Sequence, residues 1–192
     1  MEMKECRFKL ISTSPILFCR YHDTEKREGE TPFDHEVRTW RERCHYNEDG
    51  LVIVPGYMIQ KSFEEAGKSM GERVGGKKTG KALHGYLSGV RVVGDCITDK
   101  TREDIECLTA FVSSNGQVGG PKVSRNYPKV NKWKGIFTFA YPDLNILNNQ
   151  IIHRYLDIAG TCIGIGHWRP GAPSKGSYGM FKVKKIKVKK IK

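Results

Sequence analysis

The sequence predicts an α+β protein on a ferredoxin-like core, a βαββαβ chain folded as a four-stranded antiparallel sheet with two helices on one face. Three observations lead there. Apolar and polar residues alternate in Arg7–Leu10 and again in Lys134–Tyr141, the period of half-buried strands. Two segments, 57–70 and 147–162, instead carry apolar residues at helical spacing. With charged and glycine-rich stretches set aside, the remaining order is strand, helix, strand, strand, helix, strand. At 192 residues the chain has room for one sizeable core and insertions. A single domain over 1–181 is expected, with insertions at about 21–50, 71–88 and 115–132 and a lysine-rich C-terminal tail at 182–192.

The first strand is CRFKLISTSPILF, Cys6–Phe18, with Phe8 and Leu10 on one face and Arg7 and Lys9 on the other. Residues 21–50 are dense in charge, poor in aliphatics and closed by the turn pair Asp49-Gly50, so they read as an insertion. LVIVP is a short apolar strand or the lead-in to a helix started by Pro55-Gly56, with the stripe Ile59, Phe63, Ala66 and Met70. The run GERVGGKKTGK after it cannot stay helical, because Gly75, Gly76 and Gly80 each cost about 1 kcal/mol against alanine. GVRVV and IECLTAFVSS are strand-like, without settling which are the middle strands, and Gln117–Lys132 reads as a long hairpin loop. WKGIFTFAY sets Phe137, Phe139 and Tyr141 on one face. Asp143 or Asn145 caps the second helix, whose stripe is Leu147, Ile151, Tyr155, Ile158 and Cys162, with Gly160 as its closing glycine. The last strand begins near Ser177. Its final repeat, VKKIK-VKKIK, spaces apolar residues irregularly, so the tail is expected to fray.

The formal net charge is +12. Seven of those charges are lysines of 182–192, a segment with no acid, which leaves +5 for the rest. A basic body favours a polyanionic partner, and nucleic acid before membrane, because no basic amphipathic helix with a Trp/Leu face is present. No run of about 18 apolar residues is found, and MEMKECRFKL lacks the apolar run of a signal peptide. A cytoplasmic protein is expected, in the host cytoplasm if a phage encodes it. The six cysteines form no C-x-x-C pair, and Cys44-His45 with His22 and His35 match no zinc spacing. Neither a disulfide framework nor a metal or other cofactor is expected.

Gly160–Val183, GTCIGIGHWRPGAPSKGSYGMFKV, crowds six glycines around a His-Trp-Arg triplet. A dinucleotide motif or P-loop follows a strand and opens a helix; here a helix precedes and a strand follows, and no G-K-[ST] is present. A nucleotide site is not expected. A glycine-rich loop between the second helix and last strand of an RRM-like, ferredoxin-like fold resembles the G-loop of the RAMP superfamily, the CRISPR-associated RNA-binding proteins. The matching residues are Gly164, Gly166 and Arg169, then Gly176, Gly179 and Phe181. The stretch is also similar to the C-terminal motif of small phage proteins of unassigned role, which share an early W-R-x-R segment matched by RTWRER, Arg38–Arg43. The resemblance implies an RRM-like nucleic-acid-binding domain, often a subunit that polymerises along a single strand.

Successive glycine amides can nest an anion, which makes Gly164, Gly166 and Gly176, with Lys175 beside them, candidate contacts. Arg169 suits a phosphate or a stacked base, and His167 and Trp168 offer π surfaces. The competing reading makes Trp168 a core plug and Arg169-Pro170 an ordinary turn. Arg38, Arg41 and Arg43 around Trp40 form a cationic strip blunted by Glu36 and Glu42. Lys77, Lys78 and Lys81 mark one basic loop; Lys122, Arg125, Lys129 and Lys132, interleaved with Tyr127 and Trp133, mark another. By resemblance these loops grip the strand. No G-x-S-x-G, H-E-x-x-H or paired-carboxylate motif is present. The expected function is non-enzymatic binding of RNA or single-stranded DNA by a phage-derived or CRISPR-related protein that oligomerises along the strand or joins a ribonucleoprotein. The alternatives are an anti-CRISPR-like phage inhibitor acting on a host nucleic-acid complex, and a metal-independent endoribonuclease using His84 or His167.

Overall fold

Along the chain of the computed structural model, β1 (Met3–Ser12) and the two-residue β2 (Ile16–Leu17) precede α1 (Pro32–Thr39) and β3 (Leu51–Val54). Then come α2 (Gly56–Met70), β4 (Arg73–Val74), β5 (Lys81–Ala82), β6 (Arg91–Thr101) and β7 (Ile105–Ser113). β8 (Lys122–Val130), β9 (Lys134–Pro142), α3 (Asn149–Ile158) and β10 (Phe181–Ile191) complete the order. The structure describes residues 3–74, 81–82, 85, 87, 89–115, 119–142 and 148–191, with backbone alone for 73–74, 81–82 and 185–191.

β1 is the hub. It pairs antiparallel with β9 on one side and β10 on the other, and β9 continues to β6 and β6 to β3. The sheet order β10-β1-β9-β6-β3 is the ferredoxin-like arrangement with β3 added at one edge. The alternation read from the sequence sets the register: Cys6 lies across from Phe139 and Phe8 from Phe137, all buried. Above this face lie α2, through Ile59, Phe63 and Ala66, and α3, through Ile152, Tyr155 and Leu156. Phe63 meets Phe139 at 5.0 Å between ring centres, and Phe8 stacks on Phe137 at 5.8 Å. Each such side chain, fully removed from water, contributes about 1.5–3 kcal/mol.

A second sheet, β2-β8-β7, stands apart from the first. It departs from the sequence expectation in three ways. Cys6–Phe18, read as one strand, is divided: β1 ends at Ser12, and Ile16–Leu17 pairs with Val130 and Lys129 in this second sheet. The segment read as a hairpin loop over 117–132 contains β8, paired residue for residue with β7 from Ile105–Val130 to Ser113–Lys122. Gly119, Gly120 and Pro121 mark only its tight end, and Pro128 is accommodated within the ladder opposite Cys107. The segment over 21–50 is also more than a surface insertion: α1 and the 3-10 turn Trp40–Arg43 pack on β8 and bury Trp40 and Cys44.

Two helix details differ as well. Asn148 caps α3, its side chain accepting from the amides of Gln150 and Ile151. The expected caps Asp143 and Asn145, and Leu147 of the expected stripe, lie outside the described residues. The buried face is Ile152, Tyr155, Leu156 and Ala159, with Ile151 and Ile158 at its flank and Cys162 exposed. Gly160 does not close the helix. It sits buried in a π-helical turn, Ala159–Ile163, that carries the chain on to Gly164.

The lysine-rich segment is the edge strand β10 rather than a frayed tail. It pairs with β1 from Ser12–Phe181 to Met3–Ile191. Pairing shifts between Arg7–Lys187 and Phe8–Lys185, so Ile186 is an extra residue, and this bulge absorbs the irregular apolar spacing. Lysines on an edge strand also discourage unwanted strand addition. Among the described residues no helix is long and apolar enough to cross a membrane. A chain ending at Phe181 loses the β1–β10 ladder and buried Val183. Its thermal midpoint is expected to fall by about 10 °C or more, at roughly 2–4 °C per kcal/mol for this size; an unchanged midpoint would mean that β10 contributes nothing to the sheet.

Candidate nucleic-acid interface

The glycine loop between α3 and β10 is clamped to the body of the protein by its own backbone. Ile165 donates its amide to the Gly179 carbonyl at 3.0 Å, His167 to Leu17 at 2.8 Å and Gly179 to Pro15 at 2.7 Å. Gly166 has φ +81°, and a Cβ there would lie 2.5 Å from the Leu17 carbonyl oxygen. The glycine is therefore required for chain-to-chain approach. The Gly176 amide likewise turns inward to the Arg169 carbonyl, and Gly164 to Ala159. The Arg169 guanidinium forks onto Glu65 of α2, Nη1 to Oε2 at 2.8 Å and Nη2 to Oε1 at 2.9 Å. His167 stacks on Tyr127 of β8, ring centres 4.8 Å apart and planes 19° apart. Half-buried Trp168 leans on the same tyrosine at 5.1 Å and faces Tyr178 at 6.4 Å.

RTWRER runs from the last turn of α1 into the 3-10 turn, and its arginines have distinct fates. Arg38 holds both oxygens of Glu30, at 2.6 and 2.8 Å, and this hydrogen bonding draws the Glu30 carboxyl down to about 2. Trp40 is core, and exposed Arg41 lies 4.3 Å above its ring. Arg43 meets Glu36 at 2.7 Å; that buried carboxylate also accepts from the Asn126 amide at 2.8 Å and from Arg125 at 3.3 Å. Glu36 thus fastens α1 to the 3-10 turn through Arg43 and to β8 through Arg125 and the Asn126 amide. Lys122 and Lys175 are exposed, and Lys129 pairs with Glu106 at 2.8 Å. Lys77, Lys78 and His84 lie outside the described residues, and for Lys81, in β5, only the backbone is described.

What the fold brings together is a groove along Arg20. A cavity of about 220 Å³ is walled by Gly166, His167 and Arg169 of the loop, Tyr57 and Lys61 of α2, and Cys19, Arg20 and His45. An adjoining hollow of about 580 Å³ shares Cys19 and Arg20 and adds Tyr21, His22, Lys26, Arg43, Arg125 and Tyr127. The backbone fixes this course: Phe18 donates to the Pro128 carbonyl and Arg20 to that of Arg43, both at 3.0 Å. Tyr57 and Lys61 stand one turn apart on α2, away from its buried stripe, with Lys61 Nζ 5.8 Å from the Tyr57 ring centre. Among the described residues, Arg20, Lys26 and Lys61 have no acidic partner. His45 Nε2 is buried without a hydrogen-bond partner, and burial holds both His45 and His167 below the ordinary imidazole pKa.

Sequence reading found the loop residues, Arg43 and Arg125, but passed over Arg20, Lys61 and Tyr57. The available signals were the Tyr57/Lys61 pair at helical spacing on the polar side of α2 and the Arg20-Tyr21-His22 triplet directly after an apolar strand.

Gly166→Ala adds a clash to a left-handed backbone and is expected to cost about 2 kcal/mol in denaturant unfolding; an unaltered midpoint would show that the loop is not clamped. For His45 and His167, the folded pKa lies below the unfolded value of 6.5. The unfolded chain therefore takes up protons first as pH falls through about 6.5, so their contribution is complete above that pH and is lost below it. The double variant His45→Gln, His167→Gln should lose stability less steeply than the parent between about pH 7 and pH 5.

No family model matches the chain, and no curated protein matches it. Among solved structures, the fold is similar to a chain of the cryo-EM structure of the type III-B Cmr-beta complex bound to cognate target RNA, with a TM-score of 0.62 and 12% sequence identity. The match covers 100% of this chain and 61% of that one, so this protein spans about three fifths of the length of its neighbour. At that identity the likeness is one of fold.

Proposed function

We propose that the chain is a RAMP-type RNA-binding subunit of a ribonucleoprotein, one that holds single-stranded RNA in the Arg20 groove without cutting it. The observation that carries this reading is the set of cations without acidic partners, Arg20, Lys26 and Lys61, lining a groove edged by the rings of Tyr21, Tyr57 and His167. Cations bind a phosphodiester chain by releasing its counterions, and rings accept any base by stacking, at about 1–3 kcal/mol per base. The similar fold in an RNA-bound Cmr assembly supports RNA over DNA as the strand. A holding role is supported by the imidazoles themselves. His167 lies flat on Tyr127, so its ring forms part of the groove wall, and among the described residues His45 Nε2 is buried without a hydrogen-bond partner.

Mobility shifts of a single-stranded RNA oligonucleotide across a salt series test this. Affinity is expected to fall steeply with salt, and Arg20→Ala with Lys61→Ala to lower the slope of log K against log salt by about 0.7 per lost contact. No binding at low salt would overturn the proposal. So would cleavage of the RNA in EDTA that disappears in His45→Gln or His167→Gln.

A further inference from the structure

The opposite face of the five-stranded sheet, turned away from α2 and α3, has no part in the groove. Three large aliphatic side chains crowd its centre: Val93 and Ile97 of β6, each 49% exposed, and Ile136 of β9, 46% exposed. Ile97 lies directly across from Ile136, and Val93 from Thr138. Between Val93 and Ile97 the ladder shifts register at Gly94, whose φ is +72°. A bulge of this kind re-aims side chains, and a hollow of about 500 Å³ opens over the three residues.

Cations border the hollow on one side. Arg7 and Lys9 of β1 face Thr138 and Ile136 across the ladder, and on β10 Lys184 lies across from Lys9 and Lys182 from Ile11. The acids of β6 are already engaged: Asp99 by the Lys134 amide at 2.9 Å and its ammonium at 3.5 Å, Asp95 by the Gly56 amide at 2.8 Å. Glu5 lies further along β1, across from Ala140. Among the described residues, Arg7, Lys9, Lys182 and Lys184 have no acidic partner.

Charge and shape together select the occupant. Nucleic acid would meet the cations, but among the described residues no exposed aromatic side chain lines this hollow to take a base, and the aliphatic centre would stay uncovered. A second copy would bring the same four cations and a net charge of +12 against them. We propose that this face docks an acidic partner protein, whose aliphatic side chains fill the hollow over Ile97 and Ile136 and whose carboxylates meet Arg7, Lys9, Lys182 and Lys184. The groove proposal and this one stand on opposite faces and fail separately.

Benzoylphenylalanine placed at position 138 of the full chain, and photolysed in the cells that encode it, tests the proposal. The expected product is one nuclease-resistant adduct to a different protein, identified by mass spectrometry as carrying an acidic surface. Its yield should drop about tenfold in Lys9→Glu with Lys184→Glu, or in the milder Arg7→Gln with Lys9→Gln should the first pair misfold. The same photoprobe at exposed Phe33 of α1 should keep its adducts unchanged by either pair. A nuclease-sensitive adduct, an adduct to a second copy, a yield indifferent to the charge changes, or no adduct would each overturn it.

Discussion

The contact of Gly166 with the Leu17 carbonyl is the constraint on which the rest of the groove depends. Leu17 belongs to β2, the edge of the small sheet, while the glycine loop leads into β10 of the large one. Bringing the two backbones this close, with the His167 amide donated across the gap, sets the spacing between the sheets. The same approach lays His167 on Tyr127 and holds Arg20 at the junction of both hollows. Arg169 completes the clamp from the other side by its fork onto Glu65 of α2. A glycine run that looks suited to cradling a phosphate serves here to let protein approach protein. The cationic surface lies beside the loop, on residues that the loop positions.

That outcome explains what could be read in advance. The βαββαβ order, the face Cys6-Phe8-Leu10 and the face Phe137-Phe139-Tyr141 follow from local alternation, and local alternation is what a half-buried strand imposes. α2 was legible from its helical apolar spacing, with Ile59, Phe63 and Ala66 buried as expected; Met70, the last residue of the expected stripe, is instead exposed in the final turn before the left-handed Gly71. β8 was not legible, because Gly119-Gly120-Pro121 and Pro128 weigh as turn residues, while the pairing partners that override them lie on β7 and β2. β10 was hidden by a bulge at Ile186 that no local pattern reveals.

Charge was the least legible quantity, since counting cations says nothing of their partners. Arg38 and Arg43 of the RTWRER strip and Arg125 of a separate basic segment are joined to Glu30 and Glu36, a blunting the sequence foreshadows for the strip but not for Arg125. Glu36, buried and shared by two arginines and the Asn126 amide, shows how acids distant in sequence consume apparent positive charge. Among the described cations without an acidic partner, one group lies along Arg20 beside aromatic rings and another on the open sheet beside aliphatic residues. The character of those neighbours is the basis on which one surface is proposed for a nucleic-acid strand and the other for a protein.

Single-stranded RNA is proposed to follow the Arg20 groove. Ultraviolet cross-linking of the protein to uridine-rich single-stranded RNA, with adducts mapped by mass spectrometry, tests it most directly. Adducts on Tyr21, Tyr57 and His167 are expected if the strand lies in the groove; adducts confined to the open sheet face or to β7 would place the strand elsewhere.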